Sequence, residues 1–124
     1  MAGGELGKVY KDGEVIICEG DEGKCMFVIQ EGEVEVLIAG ENDNEIRLGV
    51  RGEGEFFGEM AIFDRDVRSA TVKALGDARV LTVDKKNFMR RVHEDPSLAF
   101  RLVETMSHRI RELGEEVARL KSAS

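Results

Sequence analysis

The chain is poor in the residues that carry metal, redox and thiol chemistry: two Cys, two His and no Trp among 124 residues, with a single Pro. Cys18 and Cys25 make no disulfide framework, and their spacing suits no standard metal motif, so a reducing, cytoplasmic setting is expected. No apolar run approaches the ~20 residues that a membrane span needs, and the N-terminus lacks a basic-then-apolar signal pattern. No membrane partner is expected. Net basic charge is also missing: 18 Lys and Arg stand against 25 Asp and Glu, a balance of −7. That argues against nucleic acid as a partner, because such binding neutralises phosphates with a basic face.

The acidity is concentrated. Residues 1 to 60 carry 5 basic and 15 acidic side chains, while residues 61 to 124 carry 13 and 10. An anion bound here must be held by a local cluster working against the general field. The length allows one compact domain plus one projecting element.

What is present is a succession of short strand patterns. Between Leu6 and Asp84, apolar runs alternate with turns that contain glycine, and no segment has a helical period long enough to compete. Strands are expected at Glu14 to Cys18, Cys25 to Gln30, Glu33 to Ile38, Ile46 to Val50, Arg68 to Leu75 and Ala78 to Val83. Glu31-Gly32 reads as a hairpin turn, Gly40 to Glu45 as an exposed turn and Arg51 to Glu55 as a glycine-rich corner. Val34, Val36 and Ile38 share one face of their strand, and Ile46, Leu48 and Val50 share one face of theirs. Spacing of this kind describes an antiparallel sandwich or barrel.

The period changes after Val83. Asp84 is placed to cap a short helix to about Glu94. Asp95 followed by Pro96 then has the order of an N-cap and first-turn proline, opening a helix to about Leu120. Along it Ala99, Val103, Met106, Ile110, Leu113, Val117 and Leu120 recur in steps of four and three, an a/d seam. Over the first two turns this stripe is best read as docking on the β domain; beyond them a docked helix would widen it, so a parallel homodimer through Val103, Met106, Ile110, Leu113, Val117 and Leu120 is expected.

The stretch from Phe56 to Val72, Phe-Phe-Gly-Glu-Met-Ala-Ile-Phe-Asp-Arg-Asp-Val-Arg-Ser-Ala-Thr-Val, carries the chemistry. Gly58 lies between a strand and a helix-compatible turn, where a ligand can approach the backbone. The N–H groups of Glu59, Met60 and Ala61 would face an anion. Arg68, at the head of the next strand, offers a planar fork to two oxygens of one phosphate, and Ser69 adds a hydroxyl. Glu59 would repel an anion, but suits a hydroxyl on the far side of the ligand. Singly, each residue has a simpler explanation: Gly58 a turn glycine, Glu59 a helix-dipole partner, Arg68 a surface pair with Asp64 or Asp66.

In combination the stretch closely resembles the phosphate-binding cassette of cyclic-nucleotide-binding domains, the module of catabolite-activator-like effector domains. Gly13-Glu14-Val15-Ile16-Ile17, Glu19-Gly20-Asp21, Met26-Phe27-Val28-Ile29 and Glu31-Gly32-Glu33-Val34-Glu35-Val36 resemble the family's opening strands. The resemblance implies a mainly β fold, an antiparallel jelly-roll-like β-roll over residues 1–95 with its cassette at 57–72, followed by a C-terminal helix at 96–121. It implies cyclic AMP or cyclic GMP as ligand, with no cofactor and no metal. By position it assigns Glu59 to the ribose 2′-hydroxyl, and Gly58, Met60 and Ala61 to backbone contacts. Arg68 and Ser69 go to the cyclic phosphate, and Val36, Leu48 and Phe57 to the base and sugar pocket. The C-terminal helix corresponds to the one that closes over the base and dimerises. Leu113-Gly114 stands where bacterial activators read adenine with a Thr-Ser pair, leaving Arg109 and Leu113 as candidate lid residues. Only Lys121 to Ser124 follow Leu120, so no DNA-binding domain is expected in this chain, and the downstream partner is an unidentified protein.

An enzyme is not expected. His93 and His108 lie on predicted helices and build no ligand cluster inside a barrel, and there is neither a set of nucleophile, base and orienting group nor a P-loop. Two alternatives stay open: the same fold sensing another ligand, such as haem or an iron–sulfur cluster, and a ligand-independent dimerisation module. Cluster ligation usually takes four cysteines.

Overall fold

The computed structural model describes residues 6–63 and 67–123, without the side chains of Asp43, Met60 and Ala123. The strands are β1 (Lys8–Tyr10), β2 (Val15–Ile17), β3 (Cys25–Ala39), β4 (Glu45–Arg51), β5 (Phe56–Phe57) and β6 (Thr71–Asp84). One helical turn, α1 (Met60–Phe63), precedes β6, and α2 (Lys85–Glu94) and α3 (Ser97–Ala123) follow it. All the pairings are antiparallel, in the order β1-β6-β3-β4, with β2 on β6 and β5 on β3. The chain therefore has the expected class, mainly antiparallel β with C-terminal helices.

Two compact units divide it, Met1–Lys85 and Lys86–Ser124. The expected boundary between 95 and 96 is drawn from resemblance, and this division from packing alone, which groups all of α2 but Lys85 with α3. Strand β6 runs straight into α2, Asp84 ending one and Lys85 opening the other, so the division comes where the backbone period changes.

The first unit is organised on one long ribbon of β3 and β6. The expected hairpin at Glu31-Gly32 does not form: β3 continues through it for 15 residues, and β6 for 14 opposite. Register advances from Glu31↔Arg79 to Glu33↔Leu75, so two steps on β3 match four on β6 and the ribbon bends. Gly32, at φ 83°, sits at that bend, where a Cβ would stand 2.4 Å from Asp77 O. Glycine there turns a corner in a strand and does not reverse it.

A second irregularity falls at an expected pocket residue. Between β3 and β4 the register passes from Val36↔Gly49 to Leu37↔Arg47, leaving Leu48 as the extra residue of a bulge. Alternation on β4 is lost there, and Leu48 is 60% exposed, with Ile46 exposed too. The even-numbered face of β3 holds partly: Val34 is fully buried and Val36 packs against the core, while Leu37, read as outward, is buried.

The core comprises Phe27, Ile29, Val34, Phe57, Val72, Ala74, Ala78 and Val80, with Tyr10, Ile16, Ile17 and Val36 packed against it. Its members come mainly from the facing β3 and β6, where β-branched side chains suit the pleated surface. Burying each large aliphatic side chain contributes about 1.5–3 kcal/mol.

In the second unit α2 and α3 begin where the capping residues predict. Asp95 Oδ1 accepts from Ser97 N at 3.2 Å and from Ser97 Oγ at 2.5 Å, so the N-cap holds the first turn beyond Pro96. These hydrogen bonds, the Ser97 hydroxyl first, hold the Asp95 carboxyl below its ordinary value. Along α3, Val103, Ile110, Leu113, Val117 and Leu120 are each at least half exposed, while Leu102 is buried. His108 pairs with Glu112 at 2.8 Å and Arg119 with Glu116 beside that stripe. No helix among the described residues is long and apolar enough to cross a membrane.

Candidate functional site

The expected phosphate-binding residues gather around one buried charge. Arg68 is 9% exposed, the only charged residue in the described core. Expected at the head of a strand, it lies instead between Val67, which forms an isolated bridge to Glu22, and a bend at 69–70 that leads into β6. Its main chain is held on both sides by the loop before β3: Arg68 N donates to Asp21 O at 2.7 Å and Gly20 N to Arg68 O at 2.9 Å.

The guanidinium is seated on main-chain oxygens. Nη1 donates to Gly58 O at 3.0 Å and Nη2 to Cys25 O at 2.8 Å. Its carbon lies 5.5 Å from the centre of the Phe27 ring, which stacks on Phe57 at 5.1 Å. Burying a guanidinium costs several kcal/mol unless its N–H groups are satisfied, and a hydrogen bond to a charged group contributes about 1.5–3 kcal/mol. Two such bonds and an aromatic face offset much of that cost. Burial pushes the Arg68 pKa below its ordinary value, opposed by Cys25 and then Glu59, and arginine remains ionised at neutral pH. Carbonyls orient the fork without neutralising it, so positive charge stays available to an anion.

Gly58, at φ 74°, links this seat to the cassette turn. A Cβ there would stand 2.8 Å from Arg68 Nη1. After it, Met60 opens α1, Ala61 N donates to Gly58 O at 3.3 Å and Ile62 N to Glu59 O at 3.0 Å. The Ala61 N–H, expected to face an anion, is thus engaged within the turn, because a helix of four residues closes by short-range bonds. Glu59 is half-buried and near enough to act on the Arg68 charge. Ser69 is exposed beside Arg68. Asp64 to Asp66, in the middle of the expected cassette, lie outside the described residues.

The remaining site residues are dispersed. Phe57 is in the core, stacked on Phe27, and Val36 packs against the same core. Leu48 is on the bulge of β4. On α3, in the second unit, Arg109 is half-buried and Leu113 is 66% exposed. Among the described residues, no group of three or more His, Cys, Asp or Glu is placed to hold a metal ion.

Sequence reasoning missed the other side of the seat: the carbonyls of Asp21 and Cys25, the Phe27 face, and Gly23. One signal was legible. Gly20 and Gly23 stand three residues apart just before β3, a spacing that marks a loop there; in the structure Gly20 has φ 94° and Gly23 lies against the Arg68 guanidinium.

A buried, oriented arginine beside a half-buried glutamate in an antiparallel β domain is an arrangement able to hold an anion. The chain belongs to the cyclic nucleotide-binding domain family, whose profile matches residues 7–95. A protein named as a potassium channel protein of Rhodopseudomonas palustris is 37% identical over 111 residues, covering 88% of this chain and 26% of that protein. The crystal structure of Thermus thermophilus catabolite activator protein superposes with a TM-score of 0.82 at 28% identity, covering 92% of this chain and 54% of that one. The cGMP-bound form of EAL enzyme Bd1971 gives a TM-score of 0.64 at 36% identity, over 84% of this chain and 28% of its own; that enzyme is also solved in a cAMP-bound form. The chain spans about half the length of the activator and about a quarter of the other two.

Proposed function

We propose that this chain is a sensor module that binds cyclic AMP or cyclic GMP through Arg68 and passes the signal on through α3. The observation that carries the reading is the guanidinium of Arg68, buried yet oriented by two carbonyls and left with net charge. A cyclic phosphate offers two oxygens in the plane that such a fork matches. Glu59 takes the ribose 2′-hydroxyl, with Gly58 and Met60 lending backbone contacts, Ala61 joining them by exchanging its long 3.3 Å bond to Gly58 O, and Ser69 giving a hydroxyl to the phosphate. Val36, Leu48 and Phe57 supply apolar surface to the sugar and base. The relative solved with each nucleotide supports keeping both as ligands. The role is regulatory binding and calls for no catalytic step, cofactor or metal.

The apolar stripe Val103, Met106, Ile110, Leu113, Val117 and Leu120 fits a parallel homodimer, and the output is an effect on an unidentified protein. For nucleotide to shift the state of α3, it must bind two states of the chain with different affinity.

Calorimetric titration of wild type and Arg68→Ala with each nucleotide tests the reading. Wild type is expected to bind at least one. Losing a charge-assisted pair to a buried phosphate costs about 2–5 kcal/mol, a loss of about thirtyfold or more. Equal affinity of the two proteins would overturn the assignment of Arg68.

A further inference from the structure

We propose that the outer face of α2, formed by Lys86, Met89, Arg90 and His93, is a docking surface for an acidic segment of a partner protein. This goes beyond the cyclic-nucleotide reading and stands whether or not a nucleotide binds.

The four residues fall at i, i+3, i+4 and i+7, so they share one stripe about two helical turns long, about 10 Å from end to end. All four are exposed, Met89 at 57%, while Phe88 is buried and Val92 half-buried. The helix thus turns its apolar side inward and shows solvent a cationic side with one thioether at its middle.

Two features separate this stripe from an ordinary solvated face. Its charges are unpaired. Lys11, Arg47, Lys73, Arg79, Arg101 and Arg119 each meet a carboxylate. Among the described residues, the side chains of Lys86, Arg90 and His93 enter no ion pair or hydrogen bond. Its charges also work against the helix that carries them. Lys85 and Lys86 open α2, which has no acidic residue in its first turn, where the helix dipole favours anions. Lys86 and Arg90 are like charges one turn apart, an arrangement that destabilises a helix further. Cations that oppose their own helix and find no partner within the chain are suited to carboxylates from outside it.

The kind of partner follows from charge and shape. With 25 acidic against 18 basic residues, the chain as a whole repels an acidic partner, so a local cationic stripe decides where one lands. Nucleic acid needs a broader basic face than two turns provide. A helix that lies on a membrane buries its apolar side in lipid, and here that side is turned into the protein. Met89, unbranched and polarizable, adapts to an apolar side chain set between the partner's carboxylates.

The test uses the full chain with a fluorescein-labelled helical peptide of Glu, Leu and Ala, and the same peptide with Gln in place of Glu. By fluorescence anisotropy the acidic peptide is expected to bind at least about tenfold tighter than the Gln peptide, and more weakly as salt is raised. In 15N–1H spectra its largest shifts should fall at Lys86, Met89, Arg90 and His93. Combining Lys86→Glu with Arg90→Gln should weaken the peptide at least about tenfold and leave calorimetric affinity for cyclic AMP and cyclic GMP unchanged. Because a carboxylate suits a first turn, Tm should not fall by more than about 2 °C. Equal binding of the two peptides, largest shifts away from α2, or a larger fall in Tm would overturn the proposal. So would tighter binding to phosphatidylserine vesicles than to the peptide, which would make the partner a membrane. Shifts at α2 on raising protein concentration alone would make it a second copy and overturn it equally. If wild type binds the peptide at α2 but neither nucleotide, the cyclic-nucleotide reading falls and the docking surface stands.

Discussion

The two units break the usual division between inside and outside in opposite directions. The first buries a cation: Arg68 lies among apolar neighbours, with its N–H groups on two carbonyls. The second exposes hydrocarbon: Ile110 and Leu113 on α3 are 67% and 66% exposed, and Val117 and Leu120 continue the stripe. Scattered exposed apolar residues are ordinary, but a buried charge and an ordered apolar row each need a reason. The reasons differ in scale. A buried, oriented guanidinium suits one anionic group of a small ligand that exchanges for solvent within a fixed frame. A stripe running the length of a helix suits a partner of the same length.

The comparison is tested hardest at the floor of the first unit. Phe27 stacks on Phe57 and carries the Arg68 guanidinium, so Phe27→Ala should cost about 3–5 kcal/mol in urea unfolding, the usual range for a buried phenylalanine. A loss below about 1 kcal/mol would mean that the site does not rest on the core. Next is Ile110→Asp, which puts a carboxylate in the middle of the α3 stripe. If a second copy covers that stripe, an uncompensated charge there should cost on the order of 3 kcal/mol, more than a hundredfold in dimer dissociation, seen by sedimentation. A dimer of unchanged strength would place any interface elsewhere.

The smallest effect concerns the start of α3. Hydrogen bonds from Ser97 hold the Asp95 carboxyl below its ordinary value. A lowered folded pKa means that the cap's contribution is fully present above the unfolded value, about 3.9, and is lost as pH falls through the folded one. Asp95→Ala should therefore lower helicity by circular dichroism at pH 7 slightly, and the difference from wild type should vanish only below about pH 4. A difference that persisted in strong acid would show that charge and hydrogen bonding at Asp95 are not what holds the turn.

Much of this was legible in local pattern. Asp95-Pro96 predicts the start of α3 to within a residue, because capping is a matter of neighbours. The a/d spacing from Val103 to Leu120 predicts which α3 side chains form a stripe, and the stretch from Gly58 to Arg68 picks out two residues that the structure joins by a hydrogen bond. The failures have a common cause. Glu31-Gly32 has the composition of a hairpin, but a turn signal says that the chain departs from straightness and not by how much. With β6 bending alongside, the departure becomes a corner. Leu48 alternates correctly in the sequence and is thrown out by one extra residue against β3.

The sequence alone determined the kinds of element, the cap and seam of α3, and the arginine that an anion would need, since each depends on residues within a few turns of one another. Only the tertiary structure decided that Arg68 rests on Cys25 O, 43 positions away, and that Gly23 lies against it. Those contacts arise from how a loop and a strand end meet across the fold. No periodicity records such a meeting, because it is set by strand register.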